Sequence, residues 1–378
     1  MDKKNTAKIK KIKHHLPMFD IPFFVGVMLL LCIGLIMLFS AGYADAFNKH
    51  NGDSYYYIRK QLIFAIIGVA IMIVLSFINT NLYRRFSKLY YFVCIFLLIL
   101  VLIVSKDSEK RWLYIAGFQF QPSEFAKIGV VIFMADYIAR HRDKMQSAIK
   151  GFLIPALIFV VPTVLIGVET HLSGAILVMA IGAIMLIAGG CRMRYIILVG
   201  SLGVAGGATL IFFTDYMQKR IQTYLNPESD LLGDGWQIYQ SLTTIGSGGL
   251  FGLGYGKSRQ KYLYMSEPQN DFIFSIVCEE LGLIGAVFIL ALFAFLIWRG
   301  IHIARNAPDM FTSLVVVGII SRIAVQVIFN IAVVTNTVPV TGVPLPFFSY
   351  GGTALVVLLA EMGIVLRISR YSSVEKGT

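Results

Sequence analysis

Hydrophobic residues along this chain fall into ten long runs, and the polar residues are gathered into the stretches between them. The runs lie at roughly 20–40, 60–78, 88–105, 122–139, 150–168, 172–190, 194–213, 272–299, 311–335 and 350–370. Each approaches or slightly exceeds the ~17–25 residues that a helix needs to cross a bilayer. The pattern predicts an all-α polytopic membrane protein, residues 1–378 forming a single domain of ten transmembrane helices. It leaves a basic tail over 1–19, one large loop over 214–270 between helices 7 and 8, and a short tail over 371–378.

Composition agrees with that reading. At 57% hydrophobic and 14% charged, with mean hydropathy +0.74, the 378 residues carry more apolar surface than a soluble domain of this size buries. Most of the 33 Lys and Arg lie in the N-terminal tail and in alternate loops: Lys3 to Lys13, then Arg84, Arg85 and Lys88, then Arg140 to Lys150, Arg192 and Arg194, Arg299 and Arg305, and Arg367 onward. The positive-inside rule therefore predicts both termini in the cytoplasm and the 214–270 loop outside. The net charge of +12 follows mostly from this asymmetry and calls for no nucleic-acid partner. The tail Lys3–Lys13 reads as an anchor for anionic lipid. The first run is too long, and lacks the small-residue cleavage site, for a removable signal peptide. Cys32, Cys94, Cys191 and Cys278 lie in or beside helices and read as packing residues.

The remaining polar residues are few and specific. Pro122-Ser123-Glu124 marks a helix start. Lys127, one turn deeper, has Glu124 as its natural partner at i−3, and the pair is either a structural ion pair or a substrate contact. Glu169-Thr170-His171 predicts a tight turn; one carboxylate and one histidine do not make a metal site. The large loop contains an amphipathic stretch, Asp215–Leu225 with Lys219 and Arg220, a short helix near 235–245, and six glycines between Gly246 and Gly256. Gly256-Lys257-Ser258 is not a phosphate loop, because the required first glycine is Phe251. Glycines there let the loop fold closely over the bundle, and its length suggests a lid or a binding surface.

Asp271 is the acid to explain. It follows a basic, aromatic segment (Arg259, Lys261, Tyr262, Tyr264) and a turn at Pro268, and stands at the head of the eighth run. At 100° per residue Glu280 faces away from it, and Glu279 lies ~12 Å deeper, so these carboxylates do not form one acid–base pair. Glu279 and Glu280 read as packing or charge-pairing groups, with Arg322 a candidate partner. The predicted topology puts the N-terminal ends of the fourth, sixth, eighth and tenth helices on the outer side. Those ends are partially positive. With Arg111, Lys127, Arg220, Lys257, Arg259 and Lys261 they describe an outward pocket for an anionic headgroup, with Asp271 as its acid. Asp271 could equally serve only as a helix cap.

Arg111-Trp112, QPSEFAK at 121–127, GWQIYQSL at 235–242, GSGGLFGLGYGKSRQK at 246–261, EPQNDFIF at 267–274, EELG at 279–282 and PLPFFSYGGT at 344–353 together resemble the SEDS family (shape, elongation, division and sporulation). SRQK followed by EPQNDFIF looks most like its cell-division and sporulation branch. The resemblance implies ten helices in the bacterial plasma membrane, cytoplasmic termini, and polymerisation of lipid II into peptidoglycan glycan strands at the outer face, at the division septum. It assigns the essential aspartate to Asp271, as general base in an inverting displacement. The motifs add Trp112, Gln121, Ser123, Glu124, Ser349 and Tyr350 as candidate substrate-binding positions. A divalent cation (Mg²⁺ or Mn²⁺) would travel with the substrate pyrophosphate, and a class B penicillin-binding transpeptidase with other division proteins would be the partners. Two positions depart from the family pattern. Thr170-His171-Leu172-Ser173 stands where many members have Pro-Asp-Leu-Gly, and Thr341 stands where some have Lys. The alternatives are a lipid-linked oligosaccharide flippase, which would need polar groups through the full membrane depth, and a non-catalytic scaffold for a transpeptidase.

Overall fold

The computed structural model describes residues 19–105, 111–115, 118–169, 171–198, 200–201, 218, 222–226, 228, 234–262, 265 and 267–372. The basic tail over 1–18, most of the seventh run, most of the amphipathic stretch with Arg220, Tyr264 and the C-terminal tail lie outside the described residues.

Helix α1 spans Ile21–Lys49, opened by Pro22 in its first turn and by Asp20, whose carboxylate accepts the Phe23 N–H at 2.9 Å. Helix α2 spans Tyr56–Leu75, and α3, capped by Asn79, spans Thr80–Val104. A two-stranded antiparallel hairpin follows, β1 Leu113–Ile115 and β2 Phe118–Phe120, with Leu113 opposite Phe120. Helix α4 is Pro122–Arg140; a π-helical turn over Ile149–Leu153 leads into α5, Ile154–Val168, and α6 is Leu172–Ala188. In the large loop α7 spans Asp234–Ser247. Helices α8, Ile273–Arg305, α9, Met310–Val334 with an Asp309–Thr312 capping box, and α10, Gly352–Ser372, complete the chain.

Seven of these helices are long and apolar enough to cross a bilayer. Their outward faces carry residues such as Ile66, Phe96 and Val287, as lipid-facing surfaces do. Helix α9 packs against α4, α6 and α8, while α10 runs along α2, so α9 and α10 are the most enclosed of those seven helices.

The glycine-rich segment after α7 is fastened to the bundle. It runs into the side of α8, where Gly282 leaves helical geometry (φ 68°, ψ −173°). The N–H groups of Leu253 and Gly254 donate to the Glu279 and Glu280 carbonyls at 2.9 and 3.0 Å, and the Leu283 N–H donates to the Gly249 carbonyl at 2.9 Å. Backbone groups released by the break are satisfied by the loop, which lipid cannot do. A side chain on Gly252 would collide with the α8 backbone. The segment that follows is held by the same stretch of α8. Ser258 donates to Glu279, Lys261 pairs with Glu280 at 3.0 Å, and Ser40 of α1 donates to Glu280 at 2.6 Å. The expected pairing of Glu279 and Glu280 with Arg322 is thus not found; their partners come from the large loop and, for Glu280, also from α1.

Candidate active site

One cavity of about 1030 Å³ opens among the heads of α2, α4, α6 and α10, the hairpin and the loop joining α9 to α10. Polar side chains of α9 fasten that loop. The Asn330 amide donates to the carbonyls of Asp271 (2.8 Å) and Val343 (2.7 Å), and the Gln326 amide donates to the Pro344 carbonyl at 2.8 Å. Ser349 adds a pin: its hydroxyl accepts the Leu345 N–H at 2.7 Å and donates to the Asn270 carbonyl at 2.6 Å. The Tyr350 N–H donates to the Gln269 carbonyl at 2.9 Å. The turn carrying Asp271 and the 336–351 loop are therefore one fastened unit.

Within it, Asp271 stands two residues before α8, whose cap position is Phe272, with no side-chain capping bond of its own. The Asp271 carboxylate borders the cavity and faces Gly342, where an added Cβ would stand 3.1 Å from Oδ2. Gly342 also adopts φ 64°, a conformation that glycine holds without strain.

Charged side chains border the same cavity. Lys127 pairs with Glu124 at 2.6 Å, as their spacing predicts. The pair belongs to a larger network, because Arg322 of α9 reaches Glu124 at 2.6 Å and Glu361 of α10 at 2.5 Å. All four side chains are at most 5% exposed. Two cations and two carboxylates balance at a depth where an unpaired charge is costly. Lys127, Arg322 and Glu124 each border the cavity.

Of the remaining candidate positions, Arg111, Trp112, Gln121, Ser349 and Tyr350 also line it. Thr353 donates to the Gln119 carbonyl at 2.8 Å, tying the hairpin that carries Arg111 and Trp112 to the head of α10. Ser123 is fully buried and does not border the cavity. Lys257 and Arg259 are exposed away from it, and Lys261 is committed to Glu280; Arg220 lies outside the described residues. The expectation of one pocket ringed by all these cations is corrected: the cavity cations among the described residues are Lys60, Arg111, Lys127 and Arg322.

The turn between α5 and α6 contributes more than its sequence suggested. His171 lines the cavity, its Nδ1 has no hydrogen-bond partner, and burial first, then Lys127 and Arg111, depresses its pKa to about 3. It faces the cavity as a neutral ring. Glu169 is fully buried; burial raises its pKa to about 8 against the pull of Arg111. Among the described residues no three His, Cys, Asp or Glu side chains form a metal cage.

Apolar helices whose polar heads converge on a cavity lined by an aspartate and by buried cations define a multi-pass membrane protein with a polar site at one end. The chain belongs to the FtsW/RodA/SpoVE cell cycle protein family, whose sequence pattern matches residues 21–374. It is 43% identical over 358 residues to stage V sporulation protein E of Bacillus subtilis, covering 93% of this chain and 97% of that protein. It is 37% identical over 356 residues to the probable peptidoglycan glycosyltransferase FtsW of Geobacter sulfurreducens, covering 93% and 95%. The fold matches a chain from the structure of a peptidoglycan synthase complex that coordinates polymerization and crosslinking (TM-score 0.80, 24% identity, 94% of this chain and 98% of that one). It also matches the rod shape determining protein RodA of Thermus thermophilus (TM-score 0.70, 26% identity, 93% and 97%).

Proposed function

We propose that this protein is a peptidoglycan glycosyltransferase that polymerises lipid II at the outer face of the bacterial plasma membrane. Its single domain has ten helices, the large loop outside and both termini in the cytoplasm, and it acts at the division or sporulation septum. The observation that carries this reading is the placement of Asp271 in one cavity with Arg111, Lys127 and Arg322. That arrangement puts a proton acceptor and cations suited to a diphosphate in one space.

In the reaction, the Asp271 carboxylate takes the proton from a sugar hydroxyl of one lipid-linked saccharide as that oxygen attacks the anomeric carbon of another. The new C–O bond forms as the bond to the diphosphate breaks, and undecaprenyl diphosphate leaves with the electron pair. A positioned base contributes typically ~10²–10⁴ in rate. Negative charge grows on the leaving group, and fixed cations in a dry site stabilise it most there. Among the described residues the other carboxylates at the cavity are engaged elsewhere, Glu124 by Lys127 and Arg322 and Glu267 by Lys49, so neither is set up for a double displacement with Asp271. Inversion follows. A divalent ion carried by the pyrophosphate would shield its charge, with no step assigned to it. A class B penicillin-binding transpeptidase is the partner this reading implies.

A flippase would need the polar path to continue through the bundle. Beyond Arg322 and Glu361 the neighbouring positions on α9 and α10, Ile319, Ile320, Met362 and Val365, are buried and apolar, which supports polymerisation instead. The test is purified protein in proteoliposomes with labelled lipid II. Glycan polymer is the expected product; lipid translocation without polymer would overturn the proposal in favour of the flippase.

A further inference from the structure

At the end of the bundle away from this cavity, α3, α4 and α5 do not close on one another. Helix α4 runs from Glu124 at the cavity to Arg140, sixteen residues or ~24 Å further on. Beside its far end lies a groove of about 460 Å³, within the ~300–1,000 Å³ range of ligand sites.

Its shape has a local cause. Pro162 inside α5 has no N–H, so the Ile158 carbonyl one turn earlier loses its helical donor. The Tyr91 hydroxyl of α3 replaces that donor at 2.9 Å, and the Tyr137 hydroxyl of α4 donates to the Lys150 carbonyl, within the π-helical turn, at 2.9 Å. Two tyrosines thus hold α5 at its carbonyls while the space between them stays open. The walls are apolar: Phe92, Ile95, Phe133, Leu157 and Val161.

The mouth is basic, with Lys88, Arg140 and His141 at the rim. The carboxylate there, Asp136, is buried and already met by Arg84 at 3.1 Å, Arg140 at 2.8 Å and the Ser87 hydroxyl at 3.1 Å. Three cations against one acid leave net positive charge at the rim, and Lys88 has no ion pair among the described residues. The His141 ring stacks on Tyr137 and its Nδ1 contacts the Tyr137 carbonyl, so it walls the rim without adding an anion.

We propose that this groove binds an anionic glycerophospholipid, one acyl chain lying against Phe92, Leu157 and Val161 and the phosphate held by Lys88 and Arg140. A partner's apolar helix would fill the slot and strip water from Lys88 and Arg140 without offering them an anion. An amphiphile with a negative head satisfies both halves. A basic side chain near an anionic headgroup contributes about fivefold in affinity, so a matched zwitterionic lipid binds more weakly by at least that factor.

The test uses the full chain in detergent with equimolar phosphatidylglycerol and phosphatidylcholine of identical chains, read by native mass spectrometry. A phosphatidylglycerol carrying a photoreactive acyl chain maps the contact. Expected are at least fivefold retention of phosphatidylglycerol, crosslinks on peptides containing Phe92 or Leu157, loss of the preference in Lys88→Glu and its retention in Lys88→Arg. Leu157→Trp is expected to remove the crosslinks while the protein stays monodisperse with an unchanged melting temperature. Equal retention of the two lipids, crosslinks confined to other helices, or a co-purifying membrane protein crosslinked at Phe92 would each overturn the proposal.

Discussion

Replacing Arg322 with Met probes the charge network behind the cavity. In the wild type Arg322 serves two carboxylates: Glu124, which also has Lys127, and Glu361, whose Oε2 has no further hydrogen-bond partner. Removing one member of a buried pair costs ~3–5 kcal/mol, because the charge left behind is no longer compensated. Glu361 bears most of that loss, since Glu124 keeps Lys127 at 2.6 Å. Adding Glu361→Leu should then recover most of the stability, as replacing both partners by apolar groups is often close to neutral. The assay is chemical unfolding of wild type, both single variants and the double variant in mixed micelles, read as a double-mutant cycle. A coupling below ~0.5 kcal/mol would refute the reasoning. The same four proteins separate structure from function: a double variant that is stable but polymerises no lipid II makes Arg322 a diphosphate ligand, and one that recovers both makes it structural.

Other expectations follow from single contacts. Glu169 has its folded-state pKa raised to about 8; a raised value gives stability that is complete below the unfolded pKa, near 4.5, and is lost as pH climbs through 8. Glu169→Gln should therefore gain on wild type between pH 5 and pH 8, by up to ~1.4 kcal/mol per pH unit, and parallel melting curves across that window would contradict it. Gly342→Ala forces a side chain into φ 64° and against the Asp271 carboxylate; polymerisation should fall at least tenfold with a modest loss of stability of ~1–2 kcal/mol, and unchanged turnover would show that Asp271 has room to move. Lys261→Ala leaves Glu280 buried without its ion pair, so the melting temperature should drop, by the equivalent of ~3 kcal/mol; a drop in activity at unchanged stability would return Lys261 to the substrate site.

What the sequence reveals and what it hides divides along physical lines. Lipid leaves few options for backbone polar groups, so the apolar runs that fall among the described residues became helices close to their expected bounds. Glu124 and Lys127, three residues apart, meet because one helix brings them together. Arg322 meets Glu124 across 198 residues and Glu361 across 39, and no local periodicity encodes that. The basic stretch Lys257–Lys261 misled for a related reason: charge in a loop does not say what it faces, and here Lys261 faces Glu280 and Ser40 while Lys257 and Arg259 are exposed. The hairpin carrying Arg111 was legible in retrospect, since Ala116-Gly117 separates two short triplets rich in β-favouring residues. Asp271 looked like a plausible cap from sequence; the helix begins two residues later, and the cap position falls to Phe272.

The account turns on Asp271 as the proton acceptor. Asp271→Asn keeps the side chain's size while removing its basicity. Lipid II polymerisation by the purified variant should fall by at least ~10²-fold, with lipid II binding and melting temperature within error of wild type. Glycan strands made by the variant at the wild-type rate would contradict it.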